Sequence, residues 1–218
     1  MTPRDWQANP RDRRWSCDPV PAEVMAFHRS LAGYRPTPLV DLPAVAGSLD
    51  VGRVLAKDES SRLGLPAFKA LGASWAMHRV LASGVGADGR PVTFATATDG
   101  NHGRAVARMA RLLGHRAQIF VPDGVSAAAV AAIEAEGAPV VDVGGSYDDA
   151  VAAAAAFAAE TGASLLQDTA WPGYELIPGW IVEGYATLFA ETDEQLAGLG
   201  IPAADLVVVP VGVGSLAG

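Results

Sequence analysis

Over most of its length the chain alternates between short runs rich in β-branched and aromatic residues and longer, alanine-rich stretches with helical spacing. No other feature restricts the fold as much, because repeated strand-helix-strand units pack as parallel strands covered by helices. The pattern predicts an α/β fold with open, mostly parallel sheets and flanking helices. Arg53–Glu59 (RVLAKDE) reads as a strand and Ala67–Gly84 as the following helix, stopped by Gly84. Val92–Ala97, Asn101–Gly114 and Ala117–Pro122 read as one strand-helix-strand unit. A helix at Ser126–Gly137, capped by Ser126, precedes a strand at Pro139–Val143, a helix at Tyr147–Gly162 and a short strand at Ala163–Asp168. Trp171–Gly179 is turn-like, Trp180–Glu191 is helical, and Asp205–Pro210 is an apolar strand that reads as buried on both faces.

The 218 residues, 50% of them hydrophobic, suit one large domain or two small ones around a filled core. A net charge of -8 argues against a nucleic-acid partner, which needs clustered basic residues. The one basic cluster, Arg11–Trp15 (RDRRW), reads as a solvated tail or a packing arm. The single cysteine, Cys17, forms no internal disulfide and fits a reducing compartment. The longest apolar run, Ala150–Ala159, falls far short of the roughly 20 residues a membrane span needs, and no apolar signal core opens the chain. A cytoplasmic protein with no membrane partner is expected. His28, His78 and His115 lack metal-ligand spacing, so no metal site is expected.

Four segments carry chemistry. In GLPAFKALGASWA, Lys69 is flanked by Leu65, Pro66, Ala67, Phe68, Ala70 and Leu71. Such a setting disfavours an ammonium and favours the neutral amine that attacks an aldehyde, although the same pattern suits a lysine whose stem packs and whose head reaches water. In TATDGNHGRAVA, Asp99, Asn101 and His102 sit at a strand-to-helix turn, where they either hold a carboxylate or cofactor hydroxyl or simply complete a cap. In LLQDTAWPGY, Asp168 ends a strand, and the carboxyl ends of parallel strands are where open α/β sheets bind ligands. Trp171 beside it is a candidate pocket wall, and the other tryptophans read as packing residues. The glycine-rich VGVGSLAG, with Gly212, Gly214, Ser215 and Gly218 ahead of an expected helix turn, suits a phosphate; its spacing is not the G-x-G-x-x-G of dinucleotide sites.

Together these segments resemble pyridoxal-phosphate enzymes of the tryptophan synthase β-subunit type (fold type II), and within them the diaminopropionate ammonia-lyases. The resemblance covers roughly residues 34–218, most specifically FKALGAS, TDGNHG and DTAWPGY. It implies that Lys69 is the lysine joined to the cofactor aldehyde. It implies that Asn101 faces the cofactor ring hydroxyl, and that Thr98, Asp99, Gly100 and His102 hold the substrate carboxylate. Gly212, Val213, Gly214, Ser215 and Leu216 would cradle the cofactor phosphate. Asp99 and Asp168 would be the two carboxylates beside the substrate. Dehydratases of the same type show serine where Asp99 stands, and an acid suits a β-ammonium better than a β-hydroxyl. The implied reaction is the elimination of 2,3-diaminopropionate to pyruvate and ammonia, with either enantiomer losing its α-proton. Serine or threonine dehydratase is the rival activity.

The resemblance also implies two domains, residues 1–73 and 173–218 in a larger one and residues 74–172 in a smaller one. It implies a homodimer and a small amino-acid substrate. Open parallel sheets use more strands than are found here, and no partner for the pyridine nitrogen is present. The chain is therefore expected to be truncated, with the larger domain incomplete and an inactive fragment as a further reading.

Overall fold

A computed structural model describes residues 21–217. The chain begins with helix α1 (Glu23–Ser30), strand β1 (Leu39–Asp41), helix α2 (Pro43–Leu49) and strand β2 (Leu55–Lys57). Then follow α3 (Lys69–Ala82), β3 (Thr93–Ala97), α4 (Asn101–Leu112), β4 (Arg116–Val121) and α5 (Ala127–Glu134). β5 (Val140–Asp142), α6 (Tyr147–Thr161), β6 (Ser164–Leu165) and α7 (Leu176–Gly198) complete it. The expected alternation is present, and Ser126 accepts from Ala129 N–H as the predicted cap of α5. Ser146 and Asp149 form a reciprocal cap on α6, which ends in left-handed Gly162 at φ 75°.

β5, β4, β3 and β6 lie side by side in that order, and each neighbouring pair is parallel. Strand side chains alternate between faces, so two cores form. Phe94, Ile119 and Val121 belong to the cluster that includes residues of α3, α4 and α7, whereas Ala95, Ala97 and Phe120 pack with Ala150 and Ala154 of α6. The chain leaves β3 toward β4 and β5, then crosses back through α6 to place β6 on the other side of β3. A sheet whose order reverses in this way opens a crevice at its carboxyl ends. β1 and β2 form a separate antiparallel pair, a departure from the all-parallel pattern of the larger sheet.

α3 and α7 cross closely because each contributes a glycine at the contact. A Cβ on Gly72 would lie 2.6 Å from the Tyr185 ring and 2.8 Å from the Ile181 carbonyl; one on Gly184 would lie 2.7 Å from the Leu71 carbonyl. His28 ties α1 to the same crossing. Its Nε2 donates to the Leu71 carbonyl (3.0 Å) and its Nδ1 accepts from the Thr187 hydroxyl (2.7 Å). Burial holds its pKa down at about 4.

Several expectations need correction. Asp205–Pro210 is not a strand: it pairs with nothing among the described residues, and Leu206, Val207 and Val208 are 79%, 63% and 84% exposed. An apolar run becomes a strand only when a neighbour supplies the ladder, and no described strand does so. Residues 212–217 form bends and turns, not the first turn of a helix. The predicted strand at Arg53–Glu59 is ordered as a strand only over Leu55–Lys57. The turn at Trp171–Gly179 closes early, at a Trp171–Tyr174 bridge, and α7 starts at Leu176 with Pro178 in its first turn, where the missing N–H costs no helical bond. Helices α1 and α2 and strand β1 were not anticipated. Arg11–Trp15, Cys17 and Gly218 lie outside the described residues. Among those described, no helix is long and apolar enough to cross a membrane, and no cluster of metal-ligating side chains occurs.

Candidate active site

The two turns that follow β3 and β6 face one cavity of about 650 Å³, and α3 delivers Lys69 into it. The residues given catalytic, cofactor or substrate roles in the three internal segments line this space: Lys69, then Thr98, Asp99, Gly100, Asn101 and His102, then Asp168. The glycine-rich segment contributes Gly212, Val213, Gly214, Ser215 and Leu216. Residues separated by more than 140 positions thus share a site. Trp171, the suggested pocket wall, stacks on Tyr174 and is not in the lining. Tyr147, Phe68, Ala129 and Pro210 line it too and were not picked out from sequence. Tyr147 opens α6, and the only signal for it was its place at a helix start beside a strand end.

Lys69 does not occupy the apolar setting its neighbours suggested. Its Nζ donates to Asp168 Oδ2 at 2.7 Å, and the Lys69 side chain is 21% exposed against 3% for Asp168. Lys69 is the first residue of α3, and its long stem carries the ammonium to Asp168, beyond the end of β6, while the Phe68 ring stays 5.9 Å from Nζ. Of the flanking residues only Phe68 reaches the ammonium's surroundings, and the carboxylate that pairs with it comes from 99 positions away.

The loop after β3 is organised by Thr98, whose hydroxyl accepts from the N–H groups of Gly100 (2.9 Å) and Gly103 (3.0 Å). Gly103 must lack a side chain there, since a Cβ would lie 2.3 Å from Thr98 Cγ2. Asp99 and Asn101 stay exposed at the cavity wall. His102 is 3% exposed; its Nε2 donates to the Leu166 carbonyl at 2.8 Å. That bond leaves Nδ1 as the unprotonated nitrogen of the neutral ring, with no hydrogen-bond partner among the described residues and 3.7 Å from Asp168 Oδ2.

Burial lowers the His102 pKa, so the imidazole is neutral near pH 7. Burial alone would raise the Asp168 carboxyl, yet it lies below its ordinary value, because neighbouring positive charge outweighs burial. With His102 neutral, the Lys69 ammonium is the cation that does this. Gln167 steadies the same region. Its Oε1 accepts from Ala97 N–H (2.9 Å) and the Thr96 hydroxyl (3.0 Å), and its Nε2 donates to the Tyr147 oxygen (2.8 Å). Burial raises the Tyr147 pKa, so this phenol stays protonated.

These features fit a planar, phosphorylated aldehyde. One primary amine enters the cavity, a buried ring nitrogen lacks a partner, and the N–H groups from Gly212 to Leu216 donate to no protein acceptor among the described residues. Gly214, at φ 96°, gives that loop its curvature.

The model of the pyridoxal-phosphate dependent enzyme family matches residues 31–218. The chain belongs to that family. It is 42% identical over 205 residues to the diaminopropionate ammonia-lyase of Escherichia coli K12, across 88% of this chain and 51% of the relative. It is 43% identical over 213 residues to the diaminopropionate ammonia-lyase of Salmonella typhimurium LT2, across 90% and 53%. The crystal structure of the E. coli enzyme in complex with the aminoacrylate-PLP azomethine reaction intermediate superposes with a TM-score of 0.81 at 41% identity, over 89% of this chain and 52% of that one. The crystal structure of a T.th. threonine deaminase gives 0.64 at 28% identity, over 84% and 54%. The chain spans about half the length of these relatives. The α/β architecture is that of the fold type II pyridoxal-phosphate enzymes.

Proposed function

We propose that this chain carries the lysine-bearing part of a site that converts 2,3-diaminopropionate and water to pyruvate and two ammonia molecules. The observation that carries this reading is the 2.7 Å pair between Lys69 and Asp168 in a cavity that Asp99 also lines, because two carboxylates beside the reacting amine suit a substrate with a second ammonium. The 42% identity to enzymes named for this reaction supports it.

Pyridoxal phosphate, when bound, supplies the electron sink that takes up the pair left by the departing α-proton. Lys69 would anchor the cofactor and, from one face, accept the α-proton of one enantiomer. Asp99 would accept the proton of the other enantiomer from the opposite face. Asp168 would hold the β-ammonium as a carboxylate, so that this group departs as neutral ammonia with the electron pair of its C–N bond, and Gln167 Nε2 steadies the carboxylate at 3.4 Å. Asn101 would meet the ring hydroxyl, and the Gly212–Leu216 amides would hold the phosphate. The loop Thr98, Asp99, Gly100 and His102 would bind the substrate carboxylate.

The domain division of the family supports placing residues 74–172 in the smaller domain and 1–73 with 173–218 in the larger. What favours it is that the whole four-stranded sheet falls between Thr93 and Leu165. A cytoplasmic homodimer is part of the same proposal, with sedimentation as its check. The decisive assay compares keto-acid formation from diaminopropionate, serine and threonine by the full chain supplied with cofactor. Preference for diaminopropionate is expected; faster turnover of serine or threonine would favour a dehydratase, and no turnover with any of them would favour an inactive chain.

A further inference from the structure

Arg62 is fully buried seven residues before Lys69. Its guanidinium grips two carboxylates: Glu191 of α7 through Nη1 to Oε1 (2.7 Å) and Nη2 to Oε2 (2.8 Å), and Glu59 through Nε to Oε2 (2.8 Å) and Nη2 to Oε1 (2.6 Å). Glu191 also accepts from the Tyr34 hydroxyl (2.6 Å), Thr37 N–H (3.2 Å) and Lys57 Nζ (2.7 Å). Lys57 completes its three bonds on the Thr37 carbonyl (2.8 Å) and Gln195 Oε1 (2.8 Å). Two cations and two carboxylates balance here, and none touches the cavity. A saturated buried network of this kind fixes one geometry more than it adds stability.

Immediately after Arg62 the backbone turns back on itself. Leu65 N–H donates to the Arg62 carbonyl at 2.9 Å, while Leu63 and Gly64 take left-handed φ values of 51° and 77°. A left-handed leucine is strained and persists only where its surroundings hold it. A second restraint reaches the turn from α4: Arg108 Nη1 lies 3.5 Å from the Leu63 carbonyl, and Arg108 is itself held by Glu136. α4 is the helix that starts with Asn101 and His102.

We infer that Arg62 is a positioning residue: by gripping Glu191 and Glu59 it holds the left-handed Leu63–Gly64 turn, and that turn sets where Lys69 enters the cavity. Only the choice of aldehyde probe rests on the proposed function. The chain has two lysines, Lys57 in the network and Lys69 in the cavity, so amine chemistry reports on each separately.

The test uses the full chain as wild type, Arg62→Lys, and a core control, Ile133→Ala, whose expected loss of stability overlaps that of a broken buried ion pair. Trace acetylation with acetic anhydride and borohydride trapping of added pyridoxal phosphate are both read by peptide mapping, well below melting. Arg62→Lys, which keeps the charge but loses the fork, is expected to speed Lys69 acetylation about fivefold and to slow its pyridoxal-phosphate labelling about tenfold. The control is expected to change neither rate. Unchanged rates in Arg62→Lys, or equal changes in the control, would overturn the inference. If Arg62→Lys does not fold, Glu59→Gln replaces it with the same expectations. Absence of pyridoxal-phosphate label on wild-type Lys69 would sink the functional reading instead, and acetylation would still decide the role of Arg62.

Discussion

Lys69 at the start of α3 and Asp168 beyond the end of β6 meet at 2.7 Å across 99 positions of sequence, which joins the helix bearing the amine to the carboxyl edge of the sheet. On the proposed chemistry, Asp168→Asn removes the carboxylate that holds the β-ammonium. We expect kcat/KM for diaminopropionate to fall about 100-fold, within the range for a lost partner of a buried, hydrogen-bonded charge pair. Steady-state kinetics on both enantiomers are the check, and unchanged turnover would take Asp168 out of the reaction.

Gly72→Ala should destabilise the fold by about 2 kcal/mol despite the better helix propensity of alanine, because the new methyl meets the Ile181 backbone as well as side chains. Urea unfolding measures it. Gly52→Ala, where nothing lies within 4 Å of the added methyl, serves as the neutral comparison.

His28 makes stability fall on the acid side. Its folded pKa of about 4 lies below the ordinary 6.5, so the unfolded chain binds the proton more readily. The contribution is complete above pH 6.5 and is lost as pH falls toward 4, amounting to about 3 kcal/mol at most. Arg62, Glu191 and His78 act on the same imidazole, and His78, His102 and His115 are also lowered by burial. The comparison with His28→Gln therefore isolates the effect. Urea midpoints at pH 7.5 and pH 5 should drop less in the variant than in wild type.

The exposed run at Leu206, Val207, Val208 and Val211 makes an aggregation-prone edge of the 218-residue chain. Val208→Lys should raise its soluble yield and lower light scattering at a given concentration. No change in either would mean that this run is not the self-associating surface.

Much of the architecture was legible because it is written in local patterns. The Thr93–Ala97 strand, the Asn101–Leu112 helix and the Ser126 cap follow from alternation, helical spacing and a hydroxyl before an alanine run. The antiparallel β1–β2 pair was not, because three-residue strands are too short to show a period. The strand expected at Asp205–Pro210 failed for the opposite reason: its composition is ideal, but pairing is a property of two segments. The motifs picked out residues that line one cavity, yet the ion pair of Lys69 was not legible, since Asp168 is its neighbour only after folding. Arg62 carried a visible clue, a KDESSR run of charges amid apolar sequence, but nothing in the letters shows that its guanidinium is buried.

Sixteen basic side chains with only two lysines among them has a chemical corollary. Guanidinium groups do not condense readily with carbonyl compounds at neutral pH, and the ammonium of Lys57 is engaged by three acceptors. Within this chain a reactive vitamer therefore meets almost no decoy nucleophiles on its way to position 69, so selectivity for that amine is achieved partly by what the remaining surface omits.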